Sequence, residues 1–140
     1  MNNNLDLTIN NLGLSKEYAI GNDLVYFPNF ALSLNPLFIK KVYTANEIKY
    51  CEEFDNTLER YASTWAAKEA VYKCIKQLSK NIKIGPKKIE ILRKKTAGEP
   101  IVNIPSSLNL APISLSITHD GDYTWAIAIY KRNNDEKSVF

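Results

Sequence analysis

The chain has 140 residues, a mass of 15.9 kDa, 45% hydrophobic and 24% charged residues, and a formal net charge of +3. This length and ordinary composition predict one globular domain and exclude a two-domain enzyme with its cleft between the halves. The sequence has no apolar run of about 20 residues, which argues against a membrane span. Its start lacks the features of a signal peptide and its two cysteines form no metal or redox motif, so we expect a cytoplasmic protein.

The two ends of the chain differ in composition from its middle. Residues 1–15 are rich in asparagine and residues 133–140 are polar, so we expect a flexible tail at each end. The intervening residues, 16–132, are expected to form a single folded domain, since no internal repeat divides them.

The first part of this domain predicts a strand followed by helices. The strand is expected over residues 18–25, and Pro28 and Pro36 each favour the first position of a short helix. Thr44 and Glu47 have the spacing of a capping box, in which each side chain bonds the other residue's backbone amide, so a further helix starts there.

The longest predicted helix covers residues 57–78. Its apolar side chains fall on two faces, which is typical of a helix largely surrounded by protein. The pattern then changes to that of short strands, expected at 88–93, 100–104, 113–118 and 123–130. One strand, then helices, then four closely linked strands predict an α+β fold in which an antiparallel sheet packs on the long helix.

Positive charge is concentrated in one part of the sequence. Residues 73–95 contain nine lysine or arginine residues and a single acidic residue, Glu90. Such a window produces a local field that attracts phosphate groups, of a nucleotide or of a nucleic acid. A lysine-rich surface that is merely solvated is the alternative.

Two acidic residues occupy unusual positions. Glu69 lies on the main apolar face of the long helix, and Asp23 lies at the end of the first strand. Glu69 is expected either to pair with Lys73 one turn later or to serve as a functional carboxylate. Asp23 is either a turn residue or a second functional carboxylate, and the two together suit Mg²⁺, which takes one or two carboxylates plus substrate phosphates.

The only histidine, His119, follows the alternating strand and is expected in a turn over 119–122. A single histidine in a turn is often structural. The alternative is that it donates a hydrogen bond to a phosphate, together with the nearby hydroxyls of Ser116 and Thr118.

Taken in order, these segments resemble the holo-[acyl-carrier-protein] synthases, the small class of 4'-phosphopantetheinyl transferases. The resemblance covers about Ala19 to Lys131 and depends on three motifs, of which the second is the most specific: Ile20-Gly-Asn-Asp-Leu24, Trp65-Ala-Ala-Lys-Glu-Ala70 followed by Lys73, and Ser116-Ile-Thr-His-Asp-Gly-Asp-Tyr123. It implies the 4'-phosphopantetheinyl transferase fold.

The resemblance also implies a reaction and a set of site residues. The family transfers the 4'-phosphopantetheine arm of coenzyme A to a serine of an apo acyl carrier protein and releases adenosine 3',5'-bisphosphate. By motif, Asp23 and Glu69 match the Mg²⁺ ligands, and Lys73 and Lys68 match residues that contact the coenzyme A phosphates. Ser116, Thr118 and His119 match the segment that binds the 3'-phosphate, while either Glu69 or a metal-bound water is the base that activates the serine.

The sequence departs from the family pattern at two places. Thr64 stands where many members carry an arginine, and residues 27–38 have none of the charges with which bacterial members hold an acidic carrier. The resemblance also implies an assembly, because family members of this length form homotrimers with active sites between subunits. We therefore expect a trimer in which His119 and the Asp23/Glu69 pair come from neighbouring copies.

Two other functions are compatible with parts of the sequence. One is a non-catalytic basic module that binds nucleic acid or an acidic protein through the charged window. It is disfavoured because aromatic residues are not interleaved with the lysines, and we expect neither nucleic acid nor membrane as a partner. The other is an inactive paralogue, which the complete set of candidate ligands argues against.

Overall fold

The computed structural model describes residues 3–14, 16–96 and 98–133. Over these residues the chain forms five α-helices and five strands: α1 (Asn3–Leu14), β1 (Tyr18–Tyr26), α2 (Phe27–Ser33), α3 (Pro36–Val42), α4 (Ala45–Glu52), α5 (Thr57–Leu78), β2 (Glu90–Leu92), β3 (Ile101–Asn103), β4 (Ser114–Asp120) and β5 (Tyr123–Lys131). The predicted α+β fold, with an antiparallel sheet against one long helix, is confirmed.

The main sheet has three antiparallel strands in the order β1-β5-β4, and β2 pairs with β3 in a separate two-stranded sheet. The turn predicted over 119–122 is wrong at its start, because His119 pairs with Thr124 and Asp120 pairs with Tyr123 within the strands. Only Gly121 and Asp122 remain as the turn, and the positive φ of 56° at Gly121 suits glycine in a tight hairpin.

Close contact between α5 and β1 depends on Gly21, which is buried. A Cβ atom at this position would overlap the backbone oxygen of Ala70 and lie 2.5 Å from the backbone nitrogen of Cys74. Ala126 and Ala128 of the neighbouring strand are also fully buried, so small residues let the helix approach the sheet. Asp23, two residues after Gly21, is thereby brought beside α5.

The helix starts follow their local signals. Thr44 and Glu47 form the predicted capping box at the start of α4, with the Thr44 amide 2.8 Å from a Glu47 carboxylate oxygen. At α5, the side chain of Asn56 accepts a hydrogen bond from the Glu59 amide. The predicted bounds of the long helix, 57–78, are those of α5.

The N-terminal segment differs from its prediction. Residues 3–14 form α1 where a flexible tail was expected, and its side chains Leu5, Ile9 and Leu12 are exposed. At the other end, the predicted tail over 133–140 lies outside the described residues from position 134 onward. No helix in the described part of the chain has the length and apolar character needed to cross a membrane.

Candidate active site

Three of the predicted site residues meet where β1 faces α5. Lys73 donates hydrogen bonds to an Asp23 carboxylate oxygen at 2.9 Å and to the backbone oxygen of Asn22 at 3.0 Å. The Asp23 side chain is 17% exposed and the Lys73 side chain 51% exposed, so this pair borders on solvent. Lys73 therefore pairs with the strand carboxylate, and no ion pair of the described residues includes Glu69.

Glu69 is held in an environment that disfavours its charge. Its partial burial raises the pKa of the carboxyl above its usual value, the nearby Asp23 carboxylate raises it further, and Lys73 opposes both effects. Two carboxylates that share one nearby lysine form a site with an uncompensated negative charge. Such a site favours the approach of a cation.

A pocket of about 260 Å³ opens beside Glu69. One wall is the face of α5, and the other is the segment that connects α5 to β2; the lining residues are Trp65, Lys68, Glu69, Tyr72, Ile84, Pro86 and Ile89. Most of these lining side chains are apolar or aromatic. Glu69 and the adjacent Lys68 are the charged residues among them, which is the usual composition of a ligand pocket.

The chemistry of this site suits a magnesium ion. Asp23 and Glu69 supply oxygen ligands, and Mg²⁺ commonly uses only one or two protein carboxylates while keeping waters and substrate phosphates as its other ligands. No group of three or more histidine, cysteine or acidic side chains capable of holding a metal occurs among the described residues. Lys73 occupies one oxygen of Asp23 and would have to share that carboxylate with the ion.

Lys68 is oriented differently from the exposed Lys73. Its side chain is 1% exposed, and its ammonium donates to a Glu47 carboxylate oxygen at 2.7 Å and to the backbone oxygen of Ile89 at 2.6 Å. The sequence predicted a phosphate contact at this position, whereas the structure directs the ammonium into the protein. Glu47, in turn, is a buried carboxylate that the sequence identified only as a capping residue.

The three residues expected to bind the 3'-phosphate do not share a face of the sheet. His119 points toward α5, where its Nδ1 lies 3.7 Å from a Glu59 carboxylate oxygen. Because side chains alternate along a strand, Ser116 and Thr118 face the opposite, outer side. Glu59 and Glu69 are ten positions apart on α5, or about 15 Å along the helix axis, so one chain does not bring His119 to the carboxylate pair.

An arginine lies beside Thr64 even though the helix lacks one there. The guanidinium of Arg93, just after β2, donates to the side-chain oxygens of Ser63 (3.1 Å) and Thr64. It also lies over the ring of Tyr50, with 4.3 Å between the guanidinium carbon and the ring centroid. No sequence pattern pointed to this contact, because it joins residues that are remote along the chain.

Exposed lysines lie next in sequence to residues that line the pocket. Lys87 and Lys88 belong to a short 3₁₀ turn that begins at Pro86, one of the lining residues, and both are exposed. Lys83 is exposed in the preceding segment. Part of the positive window of the sequence therefore adjoins the lining of the pocket that contains Glu69.

On the outer face of the three-stranded sheet, β1 and β5 expose large apolar side chains, whereas the outward residues of β4 include Ser116 and Thr118. The apolar side chains include Ile20, Leu24, Tyr26, Tyr123, Trp125 and Ile129, each between 38% and 61% exposed. Register places Leu24 opposite Trp125 and Ile20 opposite Ile129, so these residues form one continuous patch. A contiguous apolar patch of this kind on a small protein marks an interaction surface.

Comparisons with known proteins agree with the fold and identify the family. The sequence model of the 4'-phosphopantetheinyl transferase superfamily matches residues 19–128. A holo-[acyl-carrier-protein] synthase of Clostridium tetani is 34% identical over 106 residues, covering 71% of this chain and 82% of that protein. A fatty acid synthase alpha subunit of Dothistroma septosporum is 34% identical over 111 residues, covering 79% of this chain but only 34% of that protein.

Among solved structures, an ACPS–CoA complex of Chronobacterium ammoniagenes matches with a TM-score of 0.70 and 25% sequence identity. The match covers 85% of this chain and all of that chain. The match thus spans most or all of these holo-[acyl-carrier-protein] synthase chains, but only about a third or less of the fatty acid synthase alpha subunits that the chain matches.

Proposed function

Because the chain belongs to the 4'-phosphopantetheinyl transferase superfamily, and within it to the holo-[acyl-carrier-protein] synthases, we propose that it transfers the 4'-phosphopantetheine arm of coenzyme A to a serine of an apo acyl carrier protein. The observation that carries this proposal is the meeting of Asp23, Glu69 and Lys73 beside an apolar pocket. We further propose that it acts in the cytoplasm, where its two free, buried cysteines stay reduced.

In this reaction the serine oxygen of the carrier forms a bond to the β-phosphorus of coenzyme A. The bond from that phosphorus to the bridging oxygen breaks, and adenosine 3',5'-bisphosphate leaves with the oxygen. The serine hydroxyl is a weak nucleophile and must lose its proton during the attack. Glu69 is the carboxylate of this chain that we assign to hold the proton, and Lys73 stabilises the charge that develops on the phosphates.

The residues around the carboxylates fit the remaining parts of coenzyme A. The mixed apolar and aromatic lining of the pocket suits the uncharged portion of the molecule, and Lys87 and Lys88 suit its phosphates. A Mg²⁺ ion held by Asp23 and Glu69 would neutralise the pyrophosphate and favour in-line displacement. In this proposal Lys87 and Lys88 bind the phosphates of coenzyme A and are not merely a solvated surface.

We propose that the active protein is a homotrimer with sites shared between neighbouring copies. The apolar outer face of the sheet supplies a surface for association, and the separation of His119 from Glu69 along α5 leaves one chain without its expected 3'-phosphate contact at the carboxylates. Association would let His119 of one copy reach coenzyme A bound beside Asp23 and Glu69 of the next. Ser116 and Thr118, on the outer face, would then lie near the interface.

The direct test is a carrier modification assay. The protein is mixed with coenzyme A, Mg²⁺ and several apo carriers, from fatty acid and polyketide synthesis, and each carrier is weighed by mass spectrometry. We expect at least one carrier to gain the mass of one phosphopantetheine arm, and we expect chelation of the metal by EDTA to stop the gain. No mass gain on any carrier from the same cell would contradict the proposed activity.

A further inference from the structure

The ammonium of Lys68 has its hydrogen-bonding partners inside the protein. It bonds the Glu47 carboxylate at 2.7 Å and the Ile89 carbonyl at 2.6 Å, and the centroid of the Tyr43 ring lies 5.9 Å away. The side chains of Lys68 and Glu47 are 1% and 0% exposed. A buried ammonium is stable only when it is paired and hydrogen-bonded. Moving it toward a ligand would break its bonds to Glu47 and Ile89, which is energetically unfavourable.

The Glu47 carboxylate connects three parts of the fold. One of its oxygens accepts hydrogen bonds from the Thr44 amide, at the start of α4, and from Lys68 on α5. The other oxygen accepts the amide of Ile91, in β2, at 2.9 Å. One side chain thus fixes α4, α5 and β2 to each other.

This connection lies directly behind the candidate site. Lys68 precedes Glu69 on α5, and Ile89 belongs to the opposite wall of the pocket. The bond between the Lys68 ammonium and the Ile89 carbonyl therefore crosses from one wall to the other. Its length, together with the bond from Glu47 to Ile91, determines how far β2 stands from the helix that carries Glu69.

We propose that Lys68 and Glu47 are positioning residues, which set the width of the pocket and the orientation of Glu69, and that Lys68 makes no contact with the phosphates of coenzyme A. The inference depends on the proposed transferase activity and deepens it. It gives the two lysines of the α5 motif different roles. Lys73 acts on the substrate, whereas Lys68 holds the wall of the pocket in position.

The test is a double-mutant cycle with Lys68→Met, Glu47→Gln and the combination of both. In each single variant we expect kcat to fall about tenfold or more, while the KM for coenzyme A and its Kd by calorimetry stay within about threefold of wild type. We expect the double variant to lose much less activity than the product of the two single losses, because no buried charge is left unpaired. A phosphate contact would instead weaken coenzyme A binding in Lys68→Met alone.

Two further variants separate positioning from loss of stability. Glu47→Asp keeps both charges but shortens the connection, so it should lower kcat without leaving an isolated buried charge. Leu78→Ala removes a buried side chain at the far end of α5, so it should lower stability and leave kcat unchanged. All rates are compared at a temperature at which circular dichroism shows each variant to be folded.

Three results would overturn the inference: a rise of about tenfold or more in the coenzyme A Kd of Lys68→Met, independent effects of the two substitutions, or a normal kcat in Glu47→Asp. Wild-type protein that binds coenzyme A but modifies no carrier would count against the proposed activity instead. The two failures are therefore distinguishable in the same set of measurements.

Discussion

The two faces of the three-stranded sheet are built from the same strands but carry opposite kinds of side chain. The face toward α5 has small residues such as Gly21 and Ala126, and it contributes Asp23 to the candidate site. The outer face has large, exposed apolar residues such as Leu24 and Trp125. The small residues bring a strand carboxylate and a helix carboxylate together, whereas in the proposed trimer the large ones would provide the surface for another copy of the chain.

The largest effect is expected on the helix-facing side, at the carboxylate pair. Glu69→Gln should reduce kcat/KM by about a thousandfold or more, equivalent to about 4 kcal/mol of transition-state stabilisation. The fold should be retained, because Glu69 is only partly buried and takes part in no ion pair of the described residues. Steady-state kinetics and thermal unfolding test this, with Glu53→Gln as an exposed control, and near-normal turnover would rule out the role assigned to Glu69.

A second substitution on the same face tests the close contact between sheet and helix. Gly21→Ala should lower the free energy of unfolding by about 3 kcal/mol, because its methyl group would overlap the backbone of α5. Gly85→Ala is the matched control, since a Cβ atom there meets nothing within 4 Å and the φ of −79° is allowed for alanine. Equal stabilities of the two variants in urea unfolding would show that the contact at Gly21 is not tight.

The outer face should affect assembly rather than folding. Trp125→Ser is expected to shift a trimer toward monomers at micromolar concentration and to make specific activity depend on protein concentration. Its circular dichroism spectrum should match that of wild type, because Trp125 is 45% exposed within one chain. Light scattering measures the change, with Lys131→Ser as a control on the same strand, and a wild-type protein that is already monomeric would refute the shared site.

The smallest effect is expected at His119, which lies on the helix-facing side of β4 but far from Glu69. His119→Ala should raise the KM for coenzyme A about tenfold with little change in kcat, as loss of one phosphate contact does. Glu59→Gln tests the alternative that His119 has a structural role, because a Glu59 carboxylate oxygen lies 3.7 Å from the Nδ1 of His119. If both variants shift the KM for coenzyme A equally, His119 has a structural role in its contact with Glu59 of α5 and does not bind the substrate.

Much of this arrangement follows from local sequence signals. The capping box at Thr44, the two helix-starting prolines and the apolar pattern of α5 each act within a few residues, and all four helices they predict are present. The α1 helix was missed because asparagine-rich composition outweighed the spacing of Leu5, Ile9 and Leu12, which follows the i, i+4, i+7 pattern of a helix.

The site was harder to predict because it depends on contacts between remote residues. Helical periodicity places Lys68 on a face but cannot reveal that Glu47 of another helix meets it there. By contrast, the split between His119 and the pair Ser116 and Thr118 was contained in the sequence. The two-residue period of a strand already puts position 119 on the side opposite to positions 116 and 118.

The Glu47 carboxylate has a consequence for the dynamics of the native state. It accepts the amide hydrogens of both Thr44 and Ile91, which are remote in sequence and belong to different elements. A fluctuation that withdraws this one side chain exposes both amides at once, so they belong to a single cooperative opening unit. In native-state hydrogen exchange, the start of α4 and the strand β2 should therefore exchange with the same free energy of opening.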